Sequence, residues 1–164
     1  MTKAQLSTYS EAGTRALGEA IGADAEPGDV VLLSGELGTG KTCLVRGMST
    51  GLGATDNAFS PSFVLVREYK GRLTLYHMDF YRLEHAEEIA DLGVDDYLDS
   101  DGVCAIEWAE RATPLLPSEH IAVELSYSSE SPDSRTIHLT ATGKRYEELL
   151  DHLIQCTGED LRWN

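Results

Sequence analysis

Apolar residues recur along this chain with two periods, and the alternation between them predicts an α/β protein. Ala12, Ala16, Leu17, Ala20 and Ile21 fall on one helical face, and Thr8 with Glu11 fits a capping box, so a first helix is expected over residues 10–22. Pro27-Gly28-Asp29 turns the chain into a short apolar strand, Val30–Ser34. A second helix is expected from Lys41 to Thr50, stopped by Gly51 and Gly53. A polar loop, Thr55–Ser62, leads to two strand-like runs, Phe63–Tyr69 and Leu73–Asp79, and the short Lys70-Gly71-Arg72 connection forces an antiparallel hairpin. Helical segments follow at Glu84–Leu92 and Val94–Leu98, broken by Gly93, and then a strand, Val103–Ile106, after the Asp101-Gly102 turn. Two more strands, Ile121–Tyr127 and Thr136–Ala141, flank the Ser-rich loop Ser128–Ser134. A closing helix, Lys144–Cys156, turns Tyr146, Leu149, Leu150, Leu153 and Ile154 inward. The mixture predicts a three-layer α/β domain with a mixed parallel and antiparallel sheet.

Between the first strand and the second helix the chain reads Gly35-Glu36-Leu37-Gly38-Thr39-Gly40-Lys41-Thr42, a full match to GxxxxGK[ST]. Chance produces such a match in about 1% of chains of this length, so the strand before it and the helix after it decide for a phosphate-binding P-loop. Glycines let the backbone curl until successive N–H groups face a phosphate, and the start of the helix adds a favourable dipole. Lys41 then reaches the β- and γ-phosphates, and Thr42 offers its hydroxyl to Mg²⁺.

A length of 164 residues suits one domain spanning 1–164, with 157–164 expected as a flexible tail. The longest apolar runs are far short of the roughly 20 residues that span a bilayer, so a cytoplasmic protein without membrane attachment is expected. The net charge of −15 is uneven: residues 1–82 carry 8 basic and 9 acidic groups, residues 83–164 carry 5 and 19. An acidic half repels a phosphate backbone, which excludes tight nucleic-acid binding by this chain alone. The acid excess is either a docking face for a basic partner or an adaptation to solvent. Cys43, Cys104 and Cys156 form no CxxC pair, which argues against a metal-thiolate site or a disulfide framework. Cys43 follows the P-loop threonine, where a helix N-terminus lowers a thiol pKa, but small core packing is the usual fate of such a residue.

A P-loop site needs a carboxylate at the end of a neighbouring strand to hold Mg²⁺ directly or through water. Asp79 ends one strand and Glu107 another, and the residues alone leave both open. Trp108 either covers the nucleotide base or packs in the core. Arg82, Arg111 and Arg135 either touch phosphate or pair with surface carboxylates. His77 shares a strand face with Leu73 and Leu75, which favours a satisfied buried histidine over a general base.

The P-loop, Ser60-Pro61-Ser62-Phe63 with Leu65-Val66, His77-Met78-Asp79-Phe80-Tyr81-Arg82-Leu83 and Ile106-Glu107-Trp108 together resemble the TsaE (YjeE) family over residues 7–140. These are small bacterial P-loop ATPases needed for threonylcarbamoyl modification of tRNA adenosine 37. The resemblance implies ATP and Mg²⁺ as cofactors and a nucleotide site of Glu36, Leu37, Gly38, Thr39, Gly40, Lys41, Thr42 and Cys43. It implies that Thr14 lies near the nucleotide, that Trp108 lies against it, that Glu107 is the second metal ligand beside Thr42, and that Asp79 positions metal or attacking water. Lys41, Asp79 and Glu107 are the implied catalytic groups, and Ser60, Pro61 and Ser62 the implied switch loop. Ser62 stands where threonine is usual, which keeps the hydroxyl but loses the methyl that holds its rotamer. Glu36 replaces the more typical aspartate. The implied partners are the TsaD–TsaB assembly, with tRNA engaged only through it. A small-molecule kinase is the alternative reading, although no lid insertion is visible; a GTP switch is a weaker one, since no NKxD motif is present.

Overall fold

The computed structural model describes residues 1–55, 66–157 and 161–164. The expected switch loop, Ser60-Pro61-Ser62, and the first residues of the strand expected from Phe63 lie outside the described residues.

Three elements interleave around the P-loop as the periodicity predicts: α1 (Glu11–Ala23), β2 (Val30–Ser34) and α2 (Lys41–Gly51). They are preceded by a strand that the sequence reading lacked, β1 (Thr2–Thr8), which turns Leu6 and Thr8 inward. The α1 cap also differs from expectation. Ser10, not Thr8, is the N-cap, its hydroxyl accepting from the Gly13 N–H at 3.1 Å, while Thr8 is buried with its hydroxyl 2.9 Å from that of Thr14. Thr8 is committed to the sheet, and Ser10, itself still extended at φ −159° and ψ 164°, supplies the cap.

The hairpin is β3 (Val66–Lys70) with β4 (Thr74–Asp79), paired antiparallel. Short helices α3 (Ala86–Ala90) and α4 (Val94–Leu98) lead to β5 (Val103–Glu107), with Gly93 in the left-handed region between them as the break requires. A 3-10 stretch, Ala109–Leu115, ends around Pro114 and is followed by β6 (His120–Tyr127), β7 (Arg135–Thr142) and α5 (Lys144–Cys156). On α5, Tyr146, Leu149, Leu150 and Leu153 are buried as expected, but Ile154 is exposed. Instead of a flexible tail, residues 161–164 return to the sheet. Leu161 is buried, β8 (Arg162–Trp163) pairs with Leu6 and Ser7 of β1, and the Trp163 indole donates to the Thr157 hydroxyl at 2.6 Å.

One eight-stranded sheet runs β3-β4-β5-β2-β6-β7-β1-β8. The four strands β4, β5, β2 and β6 are mutually parallel, and the outer pairings are antiparallel. Every residue of β5 is buried, as a strand covered on both faces must be. Helices α1, α2 and α5 bury Leu17, Leu44, Met48 and Leu150 against Val31, Leu33, Val123 and Leu139. Ile89, Val94 and Ala112 cover Met78, Cys104 and Ile106 on the opposite face. The expected three-layer P-loop NTPase architecture is therefore present. Among the described residues no helix is long and apolar enough to cross a membrane.

The α1–α2 crossing sets the distance of the P-loop helix from the rest of the domain. A Cβ on Gly18 would lie 2.0 Å from the Leu44 carbonyl oxygen, and one on Gly47 would lie 2.2 Å from that of Arg15. Gly22 and Gly51 face the Met48 and Glu19 carbonyls in the same way, so the helices touch backbone to backbone. Gly18→Ala and Gly47→Ala should each cost about 2–3 kcal/mol, because a methyl there must push whole helices apart. Gly13→Ala meets only ordinary contacts, the nearest at 3.4 Å, and should stabilise by about 0.5–1 kcal/mol as an alanine in a helix. Equilibrium urea unfolding of the three variants checks the difference in sign.

Candidate functional site

The P-loop leaves the C-terminal end of β2, flanked by the ends of the parallel neighbours β5 and β4. Their last residues, Glu107 and Asp79, are register partners. Ligands of open α/β sheets bind at this carboxyl edge. Parallel pairing also places His77, two residues before Asp79, on the sheet face that carries Glu107 and that α2 covers.

Glu107 is the centre of the site. It is 3% exposed. Its carboxylate accepts from His77 Nε2 at 2.5 Å and from the Thr42 hydroxyl at 3.0 and 3.3 Å. Burial pushes this carboxyl upward, but the hydrogen bonds from His77 and Thr42 and the nearby Lys41 ammonium more than offset it, leaving the group below its ordinary range and ionised. An ionised carboxylate only accepts, so His77 carries its proton on Nε2. Its other nitrogen, Nδ1, has no hydrogen-bond partner among the described residues. His77 was expected as a satisfied core residue. It is buried, and in addition it is a direct partner of the candidate metal ligand.

Lys41 folds back on its own loop, donating to the Gly35 carbonyl at 2.6 Å and the Glu36 carbonyl at 2.9 Å. Burial holds its ammonium below the usual lysine value, against the opposing pull of Glu107, Glu110 and Asp79. Above it lies Trp108, whose ring centroid is 4.7 Å from Nζ and 5.4 Å from the Arg111 guanidinium. Trp108 is the one non-glycine residue among those described with a positive φ, 58°. Arg111 also donates to the Leu83 carbonyl at 2.7 Å. Asp79 accepts from the Tyr81 N–H at 3.0 Å beside Glu107.

On the other side of the loop, Ser10, Thr14, Gly40, Cys43, Asp133 and Arg135 line a hollow of about 190 Å³, which Trp108 does not border. Thr14 and Trp108, both assigned to the nucleotide by resemblance, thus lie on opposite sides of the P-loop, Trp108 at the lysine. Cys43 is half-buried, and burial followed by the Glu11 charge raises its pKa, so no thiolate forms there at neutral pH. Glu36 contributes its backbone, its carbonyl accepting from Lys41 and from the Thr39 hydroxyl. Leu37 is exposed.

Among the described residues no cluster of three or more His, Cys, Asp and Glu side chains suits a metal. A hydroxyl and an ionised carboxylate converging at Thr42 and Glu107 do fit Mg²⁺, which takes one or two protein ligands and fills the rest with water and phosphate.

The family model for "Threonylcarbamoyl adenosine biosynthesis protein TsaE" matches residues 8–137. The chain is 41% identical over 154 residues to the tRNA threonylcarbamoyladenosine biosynthesis protein TsaE of Bacillus subtilis, covering 93% of this chain and 95% of that protein. It is 42% identical over 145 residues to the protein of the same name from Nostoc, covering 85% and 86%. The crystal structure of Bacillus subtilis YdiB superposes with a TM-score of 0.79 at 36% identity, covering 94% of this chain and 95% of that one.

Two outcomes follow from the buried carboxylate. His77→Leu should destabilise the protein by about 2–3 kcal/mol by removing a donor to a buried charge. Adding Glu107→Leu should recover part of that loss in a double-mutant cycle read by urea unfolding. Because folding lowers the Glu107 pKa, its contribution is complete above about pH 4.5 and is lost as pH falls through the folded value. Glu107→Gln should therefore lose less stability than the native chain between about pH 5 and 3, as acid-titrated unfolding will show.

Proposed function

The chain belongs to the TsaE family, whose members serve tRNA threonylcarbamoyladenosine biosynthesis, and we propose that it is a Mg²⁺-dependent ATP hydrolase acting in that pathway with TsaD–TsaB. The observation that carries this reading is the convergence of Lys41, Thr42 and Glu107 at the P-loop, with Asp79 beside them. The hollow by Thr14 and Cys43 is suited to the nucleoside, which leaves the phosphates to run along the loop toward Lys41.

Thr42 and Glu107 hold Mg²⁺ in this reading. Bound there, the ion offsets charge on the β- and γ-phosphates. The side chains do the rest. Lys41 exchanges two loop carbonyls for γ-phosphate oxygens, and Asp79, at the strand edge, orients the attacking water. Trp108, flanked by Lys41 and Arg111, covers the phosphate end against solvent.

The reaction is ATP plus water to ADP and phosphate, and threonylcarbamoyl transfer belongs to the partners. Arg111 and Arg135 are already committed, to Leu83 and Trp108 and to the Thr39 carbonyl respectively. Neither stands free as an arginine finger, and Arg82 is exposed at the surface after β4. The acidic second half fits a role in which TsaD–TsaB, rather than this chain, grips the tRNA.

ATP binding and hydrolysis, with and without Mg²⁺ and TsaD–TsaB, test the reading. Weak native turnover should rise with the partners. Lys41→Ala, Asp79→Ala and Glu107→Ala should each lower kcat by about 100-fold or more. Turnover that ignores both the partners and these substitutions would refute it.

A further inference from the structure

The P-loop is gripped from outside by one residue pair at the end of the β6–β7 hairpin. Tyr127 and Arg135 are register partners there. The Tyr127 hydroxyl donates to the Leu37 carbonyl at 2.7 Å, and Arg135 Nε donates to the Thr39 carbonyl at 2.9 Å. The Arg135 guanidinium lies 4.8 Å from the Tyr127 ring centroid, and its Nη1 donates to the Pro132 and Ser134 carbonyls at 2.7 and 2.9 Å. The arginine is thus fixed before it touches the loop. A Cβ on Gly38 would come within 2.9 Å of the Tyr127 hydroxyl, and the backbone there has a φ of 82°, which favours glycine.

A peptide unit is planar and trans, and its C=O and N–H point in opposite directions. Turning the Leu37 carbonyl out toward Tyr127 therefore turns the Gly38 N–H the other way. Turning the Thr39 carbonyl out toward Arg135 does the same for the Gly40 N–H. Both glycines have positive φ, 82° and 113°, and without an external hold such residues sample both signs of φ. Among the described residues neither N–H donates to a backbone acceptor, which leaves both for an anion.

We propose that Tyr127 and Arg135 are positioning residues for phosphate: from outside the loop they preset the Gly38 and Gly40 N–H groups that face the ligand. This rests on the P-loop being a nucleotide site. It assigns to two residues about 90 positions downstream part of the affinity that the motif alone would claim.

The test is calorimetric binding of ADP and of pyrophosphate to the full chain, native and with Lys41→Ala, Tyr127→Phe, Arg135→Lys or Arg135→Met, together with amide spectra. Tyr127→Phe should weaken both ligands about fivefold, the value of one hydrogen bond. Arg135→Met should weaken both about tenfold, with Arg135→Lys restoring part of the loss. The thermal midpoint of Tyr127→Phe should stay close to native, since Tyr127 is half exposed and a conservative surface change costs little. In the free protein the Gly38 amide resonance should move in Tyr127→Phe and the Gly40 resonance in Arg135→Met. Native affinities in the variants, or a loss confined to ADP while pyrophosphate binds normally, would overturn the proposal. If the native chain binds neither ligand, the nucleotide reading fails instead, and the brace stands or falls on the two glycine resonances.

Discussion

A carboxylate buried to 3% exposure yet ionised can exist only inside a shell of compensating groups, and Glu107 draws that shell from two separate elements, β4 and α2. His77 comes from β4, Thr42 from the first turn of α2, and the Lys41 charge from the residue before it. His77 and Thr42 must arrive within hydrogen-bonding distance, and the Lys41 charge nearby, for the carboxylate to be tolerated. The carboxylate thereby ties the register of β4 against β5 to the placement of α2 on the sheet. A one-residue slip of β4 would turn His77 to the opposite face and leave the charge uncompensated.

The same donors hold the site in a self-satisfied state. Lys41 is bound to carbonyls of its own loop, Thr42 to Glu107, and Trp108 covers the ammonium in a backbone conformation that costs a non-glycine residue about 1 kcal/mol. An anion at the Lys41 ammonium has to displace these internal contacts, whereas the Gly38 and Gly40 N–H groups have no backbone acceptor to give up. Affinity at this loop is therefore a difference between two sets of hydrogen bonds, not the sum of those a ligand would form.

How much of this was legible in the sequence depended on the range of the interaction involved. The β2–P-loop–α2 unit and the strands beyond Pro117 carry their signals locally, in glycine spacing and alternation. β1 was missed because Leu6 is its one large apolar residue, and β8 because two residues carry no period at all; both are defined by partners far along the chain. In the site, Lys41 and Thr42 stood out because the motif announces them, while the strand ends left Asp79 and Glu107 equal candidates that only the family resemblance separated. The partnership of His77 with Glu107 could not be read without knowing that β4 and β5 are parallel neighbours. Tyr127 gave no signal, and Arg135 only that of one arginine among several. Ser10 escaped as a cap because Thr8 offered a capping box that the sheet had already claimed.

The crossing of α1 and α2 carries a further meaning for motion. Most packed helices can slide or ratchet because interlocked side chains have alternative rotamers, and such rearrangements are how small displacements become large ones. At Gly18, Gly22, Gly47 and Gly51 nothing intervenes but carbonyl oxygen, so there are no side-chain rotamers to rearrange at that contact. The two helices, and the phosphate loop that begins the second, behave as one body. Any shape change at the loop must be absorbed on its other side, by the short helices α3 and α4, whose residues are mostly exposed or half-buried.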